Sequence, residues 1–168
     1  MKVSIVSVCV VIITLIVGCG PPRPKDMPKT APCTIAVLQD GQPLAGVWVS
    51  LRNEEVSGAL TINGTTNASG VALIKTAWGN YEVKGAPVGV SKVTVVKFFD
   101  IPGTVTEAET EHWTQAQVER YEHEQKALAD KLRIIPVVLS SPSLTPLTVT
   151  VEPRIGGTLT VDINEYKD

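Results

Sequence analysis

Hydrophobic and polar positions follow three different rhythms along this chain. Residues 3–17 (VSIVSVCVVIITLIV) form an apolar run broken only by Ser4, Ser7 and Thr14. From Pro32 onward the pattern has period two, the signature of strands with one buried face. Thr34–Leu38 predicts a first strand, with Asp40-Gly41 as a turn. Ala45–Arg52 alternates most regularly: Val47, Val49 and Leu51 face one way, and Trp48, Ser50 and Arg52 the other. Asn63-Gly64 and Ser69-Gly70 read as turns, with Val71–Thr76 a strand after the second. Val93–Phe98, Leu147–Val151 and Thr158–Ile163 predict further strands, the last two separated by a Gly156-Gly157 turn. About seven short strands between Gly, Asn, Asp and Pro turns predict a mostly β fold, a single antiparallel β-sandwich.

The third rhythm lies between two of those strands. Thr106 and Glu109 have the spacing of a capping box, and helix formers then run without Gly or Pro to Ile135. Val118, Tyr121, Gln125, Leu128 and Leu132 recur at intervals of three and four, which places them on one helix face. The segment 107–133 is therefore an inserted amphipathic helix, and its apolar face has two uses: packing on the sandwich or docking a partner. It also holds the acidic excess of a chain whose net charge is only −2: Glu107, Glu109, Glu111, Glu119, Glu122, Glu124 and Asp130 against Arg120, Lys126, Lys131 and Arg133. Glu119 and Glu122 are the candidate partner contacts on the helix, and Glu119 stands four residues from His123. No basic patch interleaved with aromatics occurs, so nucleic acid is not an expected partner.

The apolar run is an address. About 15 residues behind Met1-Lys2 fits a cleaved signal peptide, whose apolar core spans about 7–15 residues, better than a spanning helix of about 20. It ends in Ile16-Val17-Gly18-Cys19, which resembles the bacterial lipobox. That resemblance implies a signal peptide over 1–18, cleavage between Gly18 and Cys19, and diacylglyceryl transfer to the Cys19 sulfur, with acyl chains such as palmitate holding the chain at a membrane. The small Gly18 leaves the scissile backbone unobstructed. Gly20 stands where proteins of this type retained at the inner membrane commonly carry Asp, which leans the expected site toward the outer membrane, outside the cytoplasm. Residues 20–32 (GPPRPKDMPKTAP) contain five prolines and suit neither helix nor ladder. Segment 19–32 thus reads as a lipidated, polyproline-like tether reaching about 40 Å at about 3.1 Å per residue.

Residues 33–168 form the expected folded domain. The stretches DGQPLAGVWVSLRN (40–53), GTTNASGVALIKT (64–76) and YEVKGAPVGVSKVTVVK (81–97) resemble, in that order, the carboxypeptidase-regulatory-like domains of the transthyretin-like β-sandwich group. The end, SLTPLTVTVEPRIGGTLTVDIN (143–164), resembles the closing hairpin of small lipoproteins that carry this domain alone. Two departures are Val90-Ser91, where an aromatic is usual, and the longer, more helical stretch 100–136. The family takes its name from an accessory module beside peptidase domains, and nothing in the resemblance implies that this copy hydrolyses peptides.

Catalytic signatures are lacking: there is no G-x-S-x-G, H-E-x-x-H or phosphate-binding Gly loop. His112 and His123 would stand about 16 Å apart along a helix, too far to share a metal. No cofactor or metal is expected. With Cys9 leaving with the leader and Cys19 acylated, Cys33 has no partner and reads as a small buried hydrophobe. Trp48, Trp78 and Trp113 are the aromatic candidates. The expected role is that of a lipid-anchored, non-catalytic envelope protein with a structural or protein-interaction sandwich. The alternative is a carbohydrate-binding surface module, which requires Trp48 and Trp78 to lie exposed and coplanar.

Overall fold

The structure, a computed structural model, describes residues 23–56, 60–99, 103–105 and 107–166. The expectations for the leader, Gly18 and Cys19, and for Thr106 as a cap, lie outside these residues. The chain is mostly β, folded as a sandwich of two principal sheets with one main helix. The larger sheet is built from β4 (Trp48–Asn53), β5 (Leu60–Thr65), β7 (Lys75–Trp78), β8 (Tyr81–Lys84), β10 (Gly89–Val96) and β11 (Thr148–Val151). Its spatial order is β11-β10-β4-β5-β7-β8, antiparallel throughout. The smaller sheet centres on β2 (Cys33–Gln39), which pairs antiparallel with β3 (Gln42–Pro43) and β6 (Val71–Leu73) and parallel with β12 (Gly157–Asp162). A separate two-residue ribbon joins β1 (Thr30–Ala31) to β9 (Ala86–Pro87).

The alternation along β4 sets the core. Val49 lies opposite Val95 and Leu51 opposite Val93 in the ladder, and all four are buried, while Arg52 is exposed. The facing sheet contributes Ile35, Val37, Ala72 and Val161, and Ile74 and Ile163 join the same buried cluster. Each such side chain stabilises the fold by roughly 1.5–3 kcal/mol through removal of apolar surface from water. The buried polar groups are largely satisfied by local bonds: Thr66 Oγ1 donates to Leu44 O and accepts from Val47 N, and Thr76 Oγ1 donates to Gly85 O.

Several turn and strand expectations change once the sheets are assembled. Asn63-Gly64 is not a turn but lies within β5. The glycine is there because β6 crosses close by: a Cβ on Gly64 would sit 2.8 Å from the Leu73 carbonyl oxygen. The expected strand Val71–Thr76 breaks at Ile74, whose N–H donates to Cys33 O. Before the break the chain belongs to the smaller sheet, and after it to the larger one. The closing hairpin is opened in the same way. β11 lies at the edge of the larger sheet and β12 at the edge of the smaller, where it runs parallel to β2; only Glu152 and Gly156 pair between them. The sandwich thus contains one parallel pair that an all-antiparallel reading does not anticipate.

The Pro-rich segment is not a free tether over its described part. Lys29 O accepts from Val88 N, Thr30 and Ala31 pair with β9, and Pro32 O accepts from Gly157 N. Met27 is buried, and Arg23 Nη2 donates to Pro28 O at 2.7 Å. Missing side chains make the channel: a Cβ on Gly85 would fall 2.2 Å from Ala31 O, and one on Gly156 2.3 Å from Pro32 O.

The helix expected over 107–133 is two helices, α1 (Glu107–Thr110) and α2 (Gln115–Leu132). The capping pair is Thr114 and Gln117, with Gln117 Oε1 accepting from Thr114 N at 2.8 Å. The face Val118, Tyr121, Gln125, Leu128 and Leu132 is half-buried as a set, but no residue of α2 is buried. It rests on the 103–105 segment: Val105 N donates to the Tyr121 hydroxyl at 2.9 Å, and Tyr121 and Gln125 reach Gly103 O. The core is closed instead by α3 (Val137–Ser140), which packs on β10 with Leu139 fully buried and Ile135 beside it. No described helix is long and apolar enough to cross a membrane.

Candidate functional site

The sandwich offers two surfaces on which the candidate residues fall. The first is the outer face of the larger sheet. Trp48 points away from Val47 and Val49 and is 37% exposed, beside its ladder partner Thr65. It lines a shallow cavity of about 350 Å³ with Asn63, Thr65, Asn67, Lys75 and Glu82. Lys75 Nζ and Glu82 Oε1 pair at 2.8 Å across this floor, and Asn67 Oδ1 accepts from Ser69 N and Val71 N. Trp78 does not join Trp48. In the ladder Thr76 and Trp78 share the face of buried Ile62, whereas Trp48 shares that of Thr65. A coplanar pair of tryptophans is therefore not formed. Trp113 lies elsewhere, edge-on to Tyr121 with ring centroids 5.3 Å apart.

The second surface is where the chain leaves β10 and comes back through α2. Val96, Lys97, Phe98 and Phe99 face Ala129, Arg133, Ile135 and Ser140 across a groove of about 320 Å³. Phe98 is 74% exposed at its rim. The cations there are engaged: Lys97 Nζ donates to Ala45 O, and Arg133 pairs with Asp130 at 2.7 Å. Glu119 and Glu122 lie exposed on α2. Glu119 accepts from Gln115 Nε2 at 3.0 Å, so its partner is one turn back and not His123. Phe98, which the sequence places only as a strand end, and α3, which no sequence expectation covers, are what the alternation could not mark out.

Compared with known protein families, with curated proteins and with solved structures, the chain matches none.

Among the described residues no cluster of three His, Cys, Asp or Glu is arranged to hold a metal, and His112 and His123 are exposed. Cys33 is buried at the start of β2, and burial pushes its thiol up to about 11. A thiol in that state is a poor nucleophile at neutral pH.

Proposed function

We propose that this chain is a lipid-anchored, non-catalytic cell-envelope protein, held at a membrane through Cys19, whose sandwich presents α2 and the adjoining groove to a protein partner. The observation that carries the partner role is that α2, 18 residues long, contributes no buried residue while Glu119 and Glu122 lie in solvent. A helix that does not build the core is available for contact, and its acidic side chains would set orientation and association rate more than affinity. Anchoring is supported by Ile16-Val17-Gly18-Cys19 directly after a short apolar run. The ordered likeness of 40–97 to carboxypeptidase-regulatory-like domains supports an accessory role, and Gly20 directly after Cys19 leans the location toward the outer membrane.

Mass spectrometry of membrane-extracted protein is expected to show a chain beginning at acylated Cys19, and Cys19→Ala to leave full-length, unlipidated precursor. Unmodified Cys19 would refute the anchoring. Charge reversal at Glu119 and Glu122 should weaken partner capture, more so at low salt; capture unchanged by reversal would remove α2 from the interface.

A further inference from the structure

The end of the sandwich that receives the N-terminal segment also carries the most exposed of its large apolar side chains, Ile155, at 79%. We infer that this end is a membrane-contacting surface, seated on the lipid headgroups with Ile155 as its apolar tip. The inference rests on Cys19 being the anchored residue.

Chain length makes the first argument. A free segment from Cys19 to Pro32 would let the domain wander about 40 Å from the bilayer. Docking removes most of that freedom, because Met27 is buried, Lys29 is bonded to Val88, and β1 is paired with β9. Only four peptide steps separate Cys19 from Arg23, at most about 14 Å when fully extended. A lipid on Cys19 therefore lies within about 14 Å of Arg23, at the head of the segment whose Lys29 and Pro32 are bonded to this end.

The second argument is the shape of what is held there. The turn between β11 and β12 lies against the docked segment, with Gly157 N donating to Pro32 O at 2.8 Å. It is closed by reciprocal bonds between Glu152 and Gly156, at 3.0 and 2.9 Å. Arg154 takes φ +70°, a left-handed conformation that a side-chain-bearing residue seldom adopts. Backbone strain of this kind persists where a local geometry is over-determined, and here the turn leaves the adjoining Ile155 in solvent. An isoleucine beside an arginine suits the interface, where the apolar group enters the acyl boundary and the cation stays among phosphates.

Charge does not carry the contact. Lys29, Lys92 and Arg154 share this end with Glu54, Glu55 and Glu152, so attraction to anionic lipid is balanced. One isoleucine would not bind a bilayer from solution, but the anchor supplies it at high effective concentration. β10 runs from Gly89 at this end to Val96 at the other, about 24 Å at about 3.4 Å per residue, so Phe98 and the groove face away from the membrane.

The test uses the lipidated full chain in phosphatidylcholine–phosphatidylglycerol vesicles, with acylation of Cys19 verified by mass spectrometry. An environment-sensitive dye is placed at Ile155→Cys in one preparation and Phe98→Cys in another, Cys33 being buried. The dye at 155 is expected to shift to the blue and to be quenched at least twofold by spin-labelled lipid, and the dye at 98 to do neither. Water-like emission at 155 in acylated protein overturns this inference and leaves the anchoring intact. Unmodified Cys19 overturns both.

Discussion

Excising α2 separates a helix that packs on the core from one that stands outside it. Phe99 and Arg133 line the same groove, so the chain leaves and re-enters the sandwich at neighbouring points. Eight Gly/Ser residues, reaching about 27 Å, can replace 100–132 while sparing Ile135 and Leu139. Shortening the connection from about 33 residues to about eight lowers the closure entropy by (3/2)RT ln(33/8), about 1.3 kcal/mol in favour of folding. The loss is the cover over Val96 and Phe99. At about 25 cal/mol per Å², that gain equals the cost of uncovering about 50 Å² of apolar surface. The half-buried contacts of Val118, Tyr121 and Leu128 leave with the segment that makes them. The two effects offset, and the excised protein should stay within about 1 kcal/mol of the parent. Leu139→Ala, at a fully buried site, should cost about 2–5 kcal/mol. Urea unfolding followed by far-UV circular dichroism compares the two directly. A loss on excision as large as that of Leu139→Ala would show that α2 is part of the core, and the reasoning would fail.

Other substitutions test the sandwich itself. Val49→Asp puts an unpaired charge between the sheets and should cost several kcal/mol, enough to unfold a domain of this size, while Ser50→Asp on the opposite face should stay mild in thermal melts. Equal losses would invert the facing of β4. Ser91 has a fully buried hydroxyl without a hydrogen-bond partner among the described residues, so Ser91→Ala should raise stability by about 1 kcal/mol in chemical denaturation; a clear loss would reveal a partner. Cys33 should resist iodoacetamide at pH 8 in the folded protein and react once unfolded. Its raised pKa also has a direction in pH: the folded state keeps the thiol proton where the unfolded chain, near 9.0, has lost it. That contribution is complete below pH 9 and declines as pH rises toward about 11, so the urea midpoint should fall between pH 8 and 10.

Much of the fold was legible along the chain because burial imposes a period. A strand with one wet face must alternate, and Val47, Val49 and Leu51 against Trp48 and Arg52 state the inside and outside of β4 without reference to any other strand. The helix face of Val118, Tyr121, Leu128 and Leu132 is legible for the same reason, since 3.6 residues per turn is a local property. What the helix face rests on is not local, and only the assembled chain seats it on residues 103–105 and gives the core to Leu139. Turn chemistry misled at Asn63-Gly64, because a glycine admits both a tight turn and a crossing backbone, and only the position of Leu73 distinguishes them. The switch of sheet at Ile74 and the parallel placement of β12 are likewise long-range choices, settled by which edge is open when each strand arrives. The same holds for the Pro-rich segment. Its composition forbids helix and ladder over most of its length, but the channel left by Gly85 and Gly156 decides that Thr30 to Pro32 lie docked against the sandwich.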